Sequence, residues 1–237
     1  MSYLDLSSMI YGSGHVQVLN KIQKNVFENI RSFDFRSRKR SLMRLVDGDI
    51  QHLIDFQAGR YNVGPPSPTE ILNLRPNLYG KFTIEIAVFV SEVFERMSFK
   101  LRSRNSVNCT HCQIRRRLSL IASNDDIWWD LSDNIDLLTD KAICLINEFS
   151  IPFLNRFCSR YTIIEELTES IYKKDKISSA PLLDVAMIYW KLGKLDDAKN
   201  ALTDHLIDHR KNFGHPQHEV YVRHLSSELG SGELNVA

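Results

Sequence analysis

The sequence predicts an α+β fold: an antiparallel sheet of about four strands with an N-terminal helix packed on it, then an all-helical C-terminal part. Three observations carry that expectation. An amphipathic stripe opens the chain, β-prone runs around an Asp-Gly turn and one strictly alternating segment follow, and helical periodicity then runs to the end. The expected division is an α+β domain over 1–130 and a helical extension over 131–237, packed on the first part.

Gly12, Ser13 and Gly14 are expected to break the chain before the first element. From Val16 onward, Leu19, Ile22, Val26, Ile30 and Phe33 recur at three- and four-residue steps, with Lys21, Lys24 and Glu28 outside the stripe. Leu42 to Val46 and Ile50 to Gln57 flank Asp47-Gly48-Asp49, which signals a hairpin. The second of these strands sets Ile50, His52, Ile54 and Phe56 on one face and Gln51, Leu53, Asp55 and Gln57 on the other. Both faces are mixed, so a partly covered sheet is expected.

Pro65, Pro66, Pro68 and Pro76 remove donors and fix φ too often for regular structure, which marks 60–80 as a long surface loop. Phe82, Ile84, Ile86, Val88 and Val90 then alternate with Thr83, Glu85, Ala87 and Phe89, the cleanest strand of the chain. A short helix or turn over 91–99, a polar loop over 102–108 and another strand over 112–120 complete the first part.

From Trp128-Trp129 onward the expectation is helical. Asp133 reads as an N-cap, and Ile135, Leu138, Ala142, Leu145 and Phe149 form the next stripe, which Pro152 kinks or stops. A further helix covers Thr162 to Tyr172, and Lys173 to Ser179 is a polar connector. Ala186, Tyr189, Gly193 and Ala198 stand at the spacing of a tetratricopeptide helix pair, with Leu195 and Leu202 at apolar positions. Val185 to Leu206 resembles one such repeat, but such arrays need about three copies to stand alone, so the plainer reading is a helical hairpin packed on the main domain.

Composition narrows the class. The chain has 237 residues, 43% hydrophobic and 25% charged, with ten Gly and seven Pro, which excludes collagen, low-complexity disorder and a disulfide scaffold. No apolar run approaches the roughly 20 residues that span a bilayer. Met1 to Ile10 lacks a basic start and contains Asp5, unlike a signal peptide. Four Cys then fit reduced thiols in a cytoplasmic protein.

The net charge of +1 hides a division: 1–122 holds 18 Lys and Arg against 10 Asp and Glu, and 123–237 holds 12 against 19. Net charges of +8 and −7 argue about partners, or about halves that dock on each other, and not about fold.

Few constellations carry chemistry. Cys109-Thr110-His111-Cys112 offers two thiolates and an imidazole to a Zn²⁺, yet a closed site needs a second pair, and Cys144 and Cys158 do not supply it. The motif precedes a strand where a thioredoxin-like site would open a helix. Arg115 and Arg117 share one face of the strand that follows, with Arg116 opposite, about 7 Å apart and suited to a phosphate or a carboxylate-rich surface.

Arg36, Arg38, Lys39, Arg40 and Arg44 form a second basic cluster without interleaved aromatics, so base stacking is not indicated. Trp128 and Trp129 diverge by about 100° if helical, one going to the core and the other to solvent or an Arg. His205 and His209, with Asp204 and Asp208, read as a polar outer face, and His215 and His218 as loop. There is no nucleotide-binding glycine loop, no G-x-S-x-G and no H-E-x-x-H.

Phe56-Gln57, Phe82-Thr83-Ile84, Cys112-Gln113-Ile114-Arg115-Arg116-Arg117-Leu118 and Trp128-Trp129 together resemble an uncharacterised, mostly bacterial family of domains of unknown function, family 4304. The resemblance covers roughly 16–146; Gly12 to Gly14 and the repeat-like tail lie outside it. It implies an α+β fold and brings no activity or catalytic residues.

Three functions are therefore expected in order. The first is a non-catalytic protein-binding domain, best described as an immunity or antitoxin protein that neutralises a cognate toxin. Asp125, Asp126, Asp130, Asp133 and Asp136, with Trp128 and Trp129, would face the partner. The second is an enzyme or ligand-binding domain with an anion site at Arg115 and Arg117 beside Gln57 and His52. The third is a nucleic-acid binder using the basic half, which is the weakest. No cofactor and no membrane association are expected, and Cys109, His111 and Cys112 are the weak metal candidates.

Overall fold

The computed structural model describes residues 3–59, 77–96, 107–112, 114–172, 177–212, 214–230 and 234, with side chains from Gly14 onward. The expected loop over 60–80, the turn after Glu95, the polar loop over 102–108 and the connector at 173–176 lie largely outside the described residues.

Helix α1 spans Tyr3–Ile30 and does not break at Gly12–Gly14, because helical hydrogen bonding carries through the small residues. It buries Leu19, Ile22, Val26 and Ile30 completely. Val16 and Phe33, at the ends of the expected stripe, stay partly exposed, Phe33 because the chain tightens into a 3₁₀ turn at Arg31–Phe33.

The sheet has six strands rather than about four, in antiparallel arrangement: β1 Arg36–Arg38, β2 Ser41–Val46, β3 Ile50–Ala58, β4 Lys81–Phe89, β5 Ile114–Arg117 and β6 Trp129–Asp130. The order is β1-β2-β3-β4-β5, with β6 also on β4. The hairpin turn falls where Asp47-Gly48-Asp49 predicts it, with Asp47 and Gly48 at positive φ. Nearly every residue of β3 and β4 is buried or half-buried, so the mixed faces of β3 are covered on both sides.

Three local expectations are corrected. The strand expected over 112–120 is only Ile114–Arg117; Leu118–Ser123 is helix α3, ended by Asn124 in the left-handed region, which Asn tolerates. Trp129 lies in a strand, not a helix, so the extended alternation separates the two indoles. The N-cap of α4, Ile135–Leu145, is Asn134 and not Asp133: its Oδ1 accepts from the backbone N–H of Asp136 at 2.9 Å and Leu137 at 3.2 Å.

Pro152 does not stop the helix, which runs on to Asn155. It lacks the N–H that would bond four residues back, and the helix widens into a π turn over Ile146–Ser150 before α5, Ile151–Asn155.

Two compact units divide the chain. The first comprises Met1–Leu45, Gln51–Ala87 and Arg116–Asn155. Its α1 packs on α4, Asn147 in the π turn that follows α4 donates to Asn29 at 3.1 Å, and Gln23 ties α1 to the carbonyl of Lys39 at 2.5 Å.

The second unit comprises Val46–Ile50, Val88–Arg115 and Arg156–Ala237. It holds α2 (Ser91–Glu95), α6 (Arg160–Tyr172), α7 (Pro181–Lys191), α8 (Leu195–Asn212) and α9 (Pro216–Glu228). The pair α7 and α8 is a helical hairpin around fully buried Ala186, Ala198 and Leu202, turned by Gly193 at φ +75. Leu195, expected among the apolar positions, is partly exposed. No helix among the described residues is long and apolar enough to cross a membrane.

Candidate functional site

The basic residues of β5 do not stand alone. Arg117 pairs through Nη1 with Asp126, and its guanidinium lies 5.2 Å above the ring of half-buried Trp128. A member of the anion-site candidates is thereby joined to two members of the partner-binding candidates. Arg115 is exposed and belongs to the second unit.

His52 is 0% exposed, and its Nδ1 accepts from Arg44 Nε at 3.1 Å. Arg44 also reaches Asn155 Oδ1 at 2.5 Å and covers the Phe35 ring. Gln57 donates to Glu85 on the neighbouring strand. His52 and Gln57 therefore already have internal partners.

The acidic candidates divide. Asp130 accepts from the Ser132 hydroxyl at 2.6 Å and its amide at 2.9 Å, and these bonds, with Lys81 and His15 nearby, hold its carboxyl below the ordinary value. Asp125, Asp133 and Asp136 are exposed and make no ion pair with any described residue. Trp129 is buried against Phe82, ring centroids 5.3 Å apart.

The Cys109–Cys112 motif forms a 3₁₀ turn capped by Asn108, whose side chain accepts from Thr110 while its own amide donates to His111 Nδ1 at 3.1 Å. Both thiols are buried, Cys112 Sγ donating to the Asn108 carbonyl at 3.5 Å, and burial pushes His111 down. Among the described residues no group of three or more His, Cys, Asp or Glu could hold one metal ion. Cys144 and Cys158 are exposed.

Two constellations were not foreseen. In the first unit, Gly59 and Tyr79 form a parallel bridge at the ends of β3 and β4, and the Gly59 amide donates to the Lys81 carbonyl at 2.9 Å. A Cβ on Gly59 would stand 1.8 Å from the Leu78 carbonyl oxygen, so only glycine permits the crossing. Gly80, at φ +75, faces His15: a Cβ there would stand 2.8 Å from the imidazole.

Around this crossing lies a pocket of about 370 Å³, lined by His15, Val16, Arg40, Ala58, Tyr79 and Leu131 with the two glycines. An adjoining groove of about 480 Å³ shares His15 and Leu131 and adds Lys21. The only sequence signal was a glycine at the end of one strand and another before the next.

In the second unit, His205 does not look outward as expected. Its Nε2 lies 2.7 Å from Nε2 of His218, and His209 stacks on His218 with centroids 4.3 Å apart. Burial first, then His218 and His209, push His205 down to about 4. The turn before α9 brings the two histidines together, which one-helix spacing does not reveal.

The class that these features define is an α+β domain with a helical C-terminal part. The model of a protein family described as Domain of unknown function (DUF4304) matches residues 69–156. The family resemblance read from the strand and Trp-Trp motifs is thus shown, over a span that begins and ends later than 16–146. It takes in β4 through α5 and leaves out α1, the β2–β3 hairpin and the helices from α6 onward. No curated protein and no solved structure matches the chain.

Proposed function

We propose that this chain is a non-catalytic, cytosolic protein-binding domain of the kind represented by bacterial immunity and antitoxin proteins, which bind and neutralise a cognate toxin. One observation supports this above others. Asp133, Asp136 and Asp140 are exposed around the first turns of α4, and Leu137, 69% exposed, lies among them. Unpaired carboxylates steer a basic partner into encounter, and an exposed apolar side chain at their centre gains when it is desolvated. Asp125 adds to the same charge.

The ligand-binding reading at Arg115 and Arg117 has weaker support, because Arg117, His52 and Gln57 are bonded internally. A nucleic-acid role gains nothing from the same pairings.

The test uses the full chain as bait and its D125K/D133K/D136K variant as control. A partner held at low salt, released at high salt and lost with the variant is then expressed in growing cells. Arrest of growth that the wild-type chain relieves and the variant relieves poorly supports the proposal. A partner indifferent to the three charges, or harmless when expressed alone, overturns it.

A further inference from the structure

We propose that the pocket at the Gly59–Tyr79 crossing is a binding site for a small organic anion, a carboxylate or phosphate monoester carried on a compact apolar body. This does not rest on the protein-binding proposal.

The size fits. A volume of about 370 Å³ falls within the roughly 300–1,000 Å³ of small-molecule sites. The frame is tied by backbone: Gly59 to Lys81 at 2.9 Å, Lys81 to Leu78 at 3.0 Å, and Leu131 to the Gly80 carbonyl at 2.8 Å. It is therefore preformed, and a ligand need not order it.

Arg40 and Lys21 supply positive charge. Arg40 lines the pocket, and its guanidinium makes no hydrogen bond or ion pair with any described residue. His15 Nδ1 is a buried nitrogen without a partner, its ring held edge-on to Tyr79 at 5.6 Å. Lys21 stands in the adjoining groove. The Arg40 charge favours an anion in the pocket, beside an imidazole ring that lines it. The guanidinium fork matches carboxylate and phosphate alike.

The opposing charge is accounted for. Asp130 lies near His15, but its carboxylate is occupied by Ser132 and offset by Lys81. Val16, Ala58 and Leu131 supply apolar walls, and the Tyr79 ring a flat one. These reject a fully hydrated inorganic ion in favour of an anion with an apolar body.

Titration calorimetry on the full chain decides, with phenyl phosphate and benzoate as probes and benzyl alcohol as the uncharged control. At least one anion should bind with a dissociation constant below about 1 mM, and the alcohol at least about tenfold more weakly. Arg40→Met should weaken the anion at least about tenfold, and Arg40→Lys, which keeps charge but loses the fork, by less.

Because Arg40 is half-buried, each variant's Tm is compared with wild type. As a readout independent of any variant, the His15 imidazole nitrogen signals should shift on titration with the anion. Which probe wins separates a carboxylate from a phosphate source. Failure of both anions to bind, equal binding of the alcohol, or unshifted His15 signals would overturn the proposal; loss of the toxin-type partner would leave it standing.

Discussion

Arg160 donates from Nε to Oε1 of Glu92 at 2.8 Å, closing an ion pair whose carboxylate has no solvent exposure. The same guanidinium also bonds Asp49 in the hairpin turn, which Ser91 contacts at 2.7 Å. Breaking a buried pair from one side strands a charge and costs roughly 3–5 kcal/mol. Arg160→Met should therefore lower stability by about that much. Adding Glu92→Met and Asp49→Asn to that variant should recover most of the loss. Urea unfolding of the two variants checks both expectations.

Asp49 makes part of this network pH-dependent. Burial pushes its carboxyl up, but hydrogen bonds from Arg160 and Ser91 outweigh that and hold it below the ordinary value. A depressed carboxyl contributes stability that is present above its unfolded value near 4 and lost as pH falls through the lower folded value. Asp49→Asn should flatten the acid limb of a Tm-against-pH curve below about pH 4.

Lys39 takes φ +51 in the turn between β1 and β2, a conformation that costs an L-residue about 1–2 kcal/mol. Its carbonyl holds Gln23, so the backbone must stay where it is. Lys39→Gly removes the strain at some cost in unfolded-state entropy, and the net should be stabilising by about 0.5–1 kcal/mol. A rise in Tm without change in the denaturant slope would confirm it.

Local patterns account for what was legible. The stripe Leu19, Ile22, Val26 and Ile30, the alternation from Phe82 and the Asp47-Gly48 turn each sit within one element, and each formed as read. The short strands β1 and β6 did not announce themselves, because their pairing depends on partners elsewhere: Arg36 faces Met43, and Phe82 faces Trp129. The α3 helix replaced a strand because nothing in Leu118–Ser123 distinguishes a short apolar strand from one helical turn. The pocket draws on residues 15, 40, 58–59, 79–80 and 131, so no window of sequence contains it.

Arg117 is partly exposed, and its pair with Asp126 should contribute little to stability. Arg117→Ala is expected to cost at most about 1 kcal/mol. The loss of the cation above Trp128 should instead appear in that indole's fluorescence, which Asp126→Asn should change less. A loss of several kcal/mol would mean that the basic strand is a structural element.

His205 gives the clearest pH expectation. Its pKa is pushed down to about 4 by burial and by His218, His209 and Arg96, with Asp208 opposing; His218 is pushed down by burial and by His209, Arg96 and His215. Unfolded, an imidazole titrates near 6.5. Between those values the unfolded chain holds more protons, so stability is full above about pH 6.5 and falls as pH drops toward 4. Solvent screening of a partly exposed ring limits the loss to about 1–2 kcal/mol. The His205 ring proton should titrate with a midpoint near 4 by NMR. Tm should decline between about pH 6.5 and 4.5 and do so less in His205→Asn. A midpoint at the ordinary value would show that α8 and α9 do not hold the two rings together in solution.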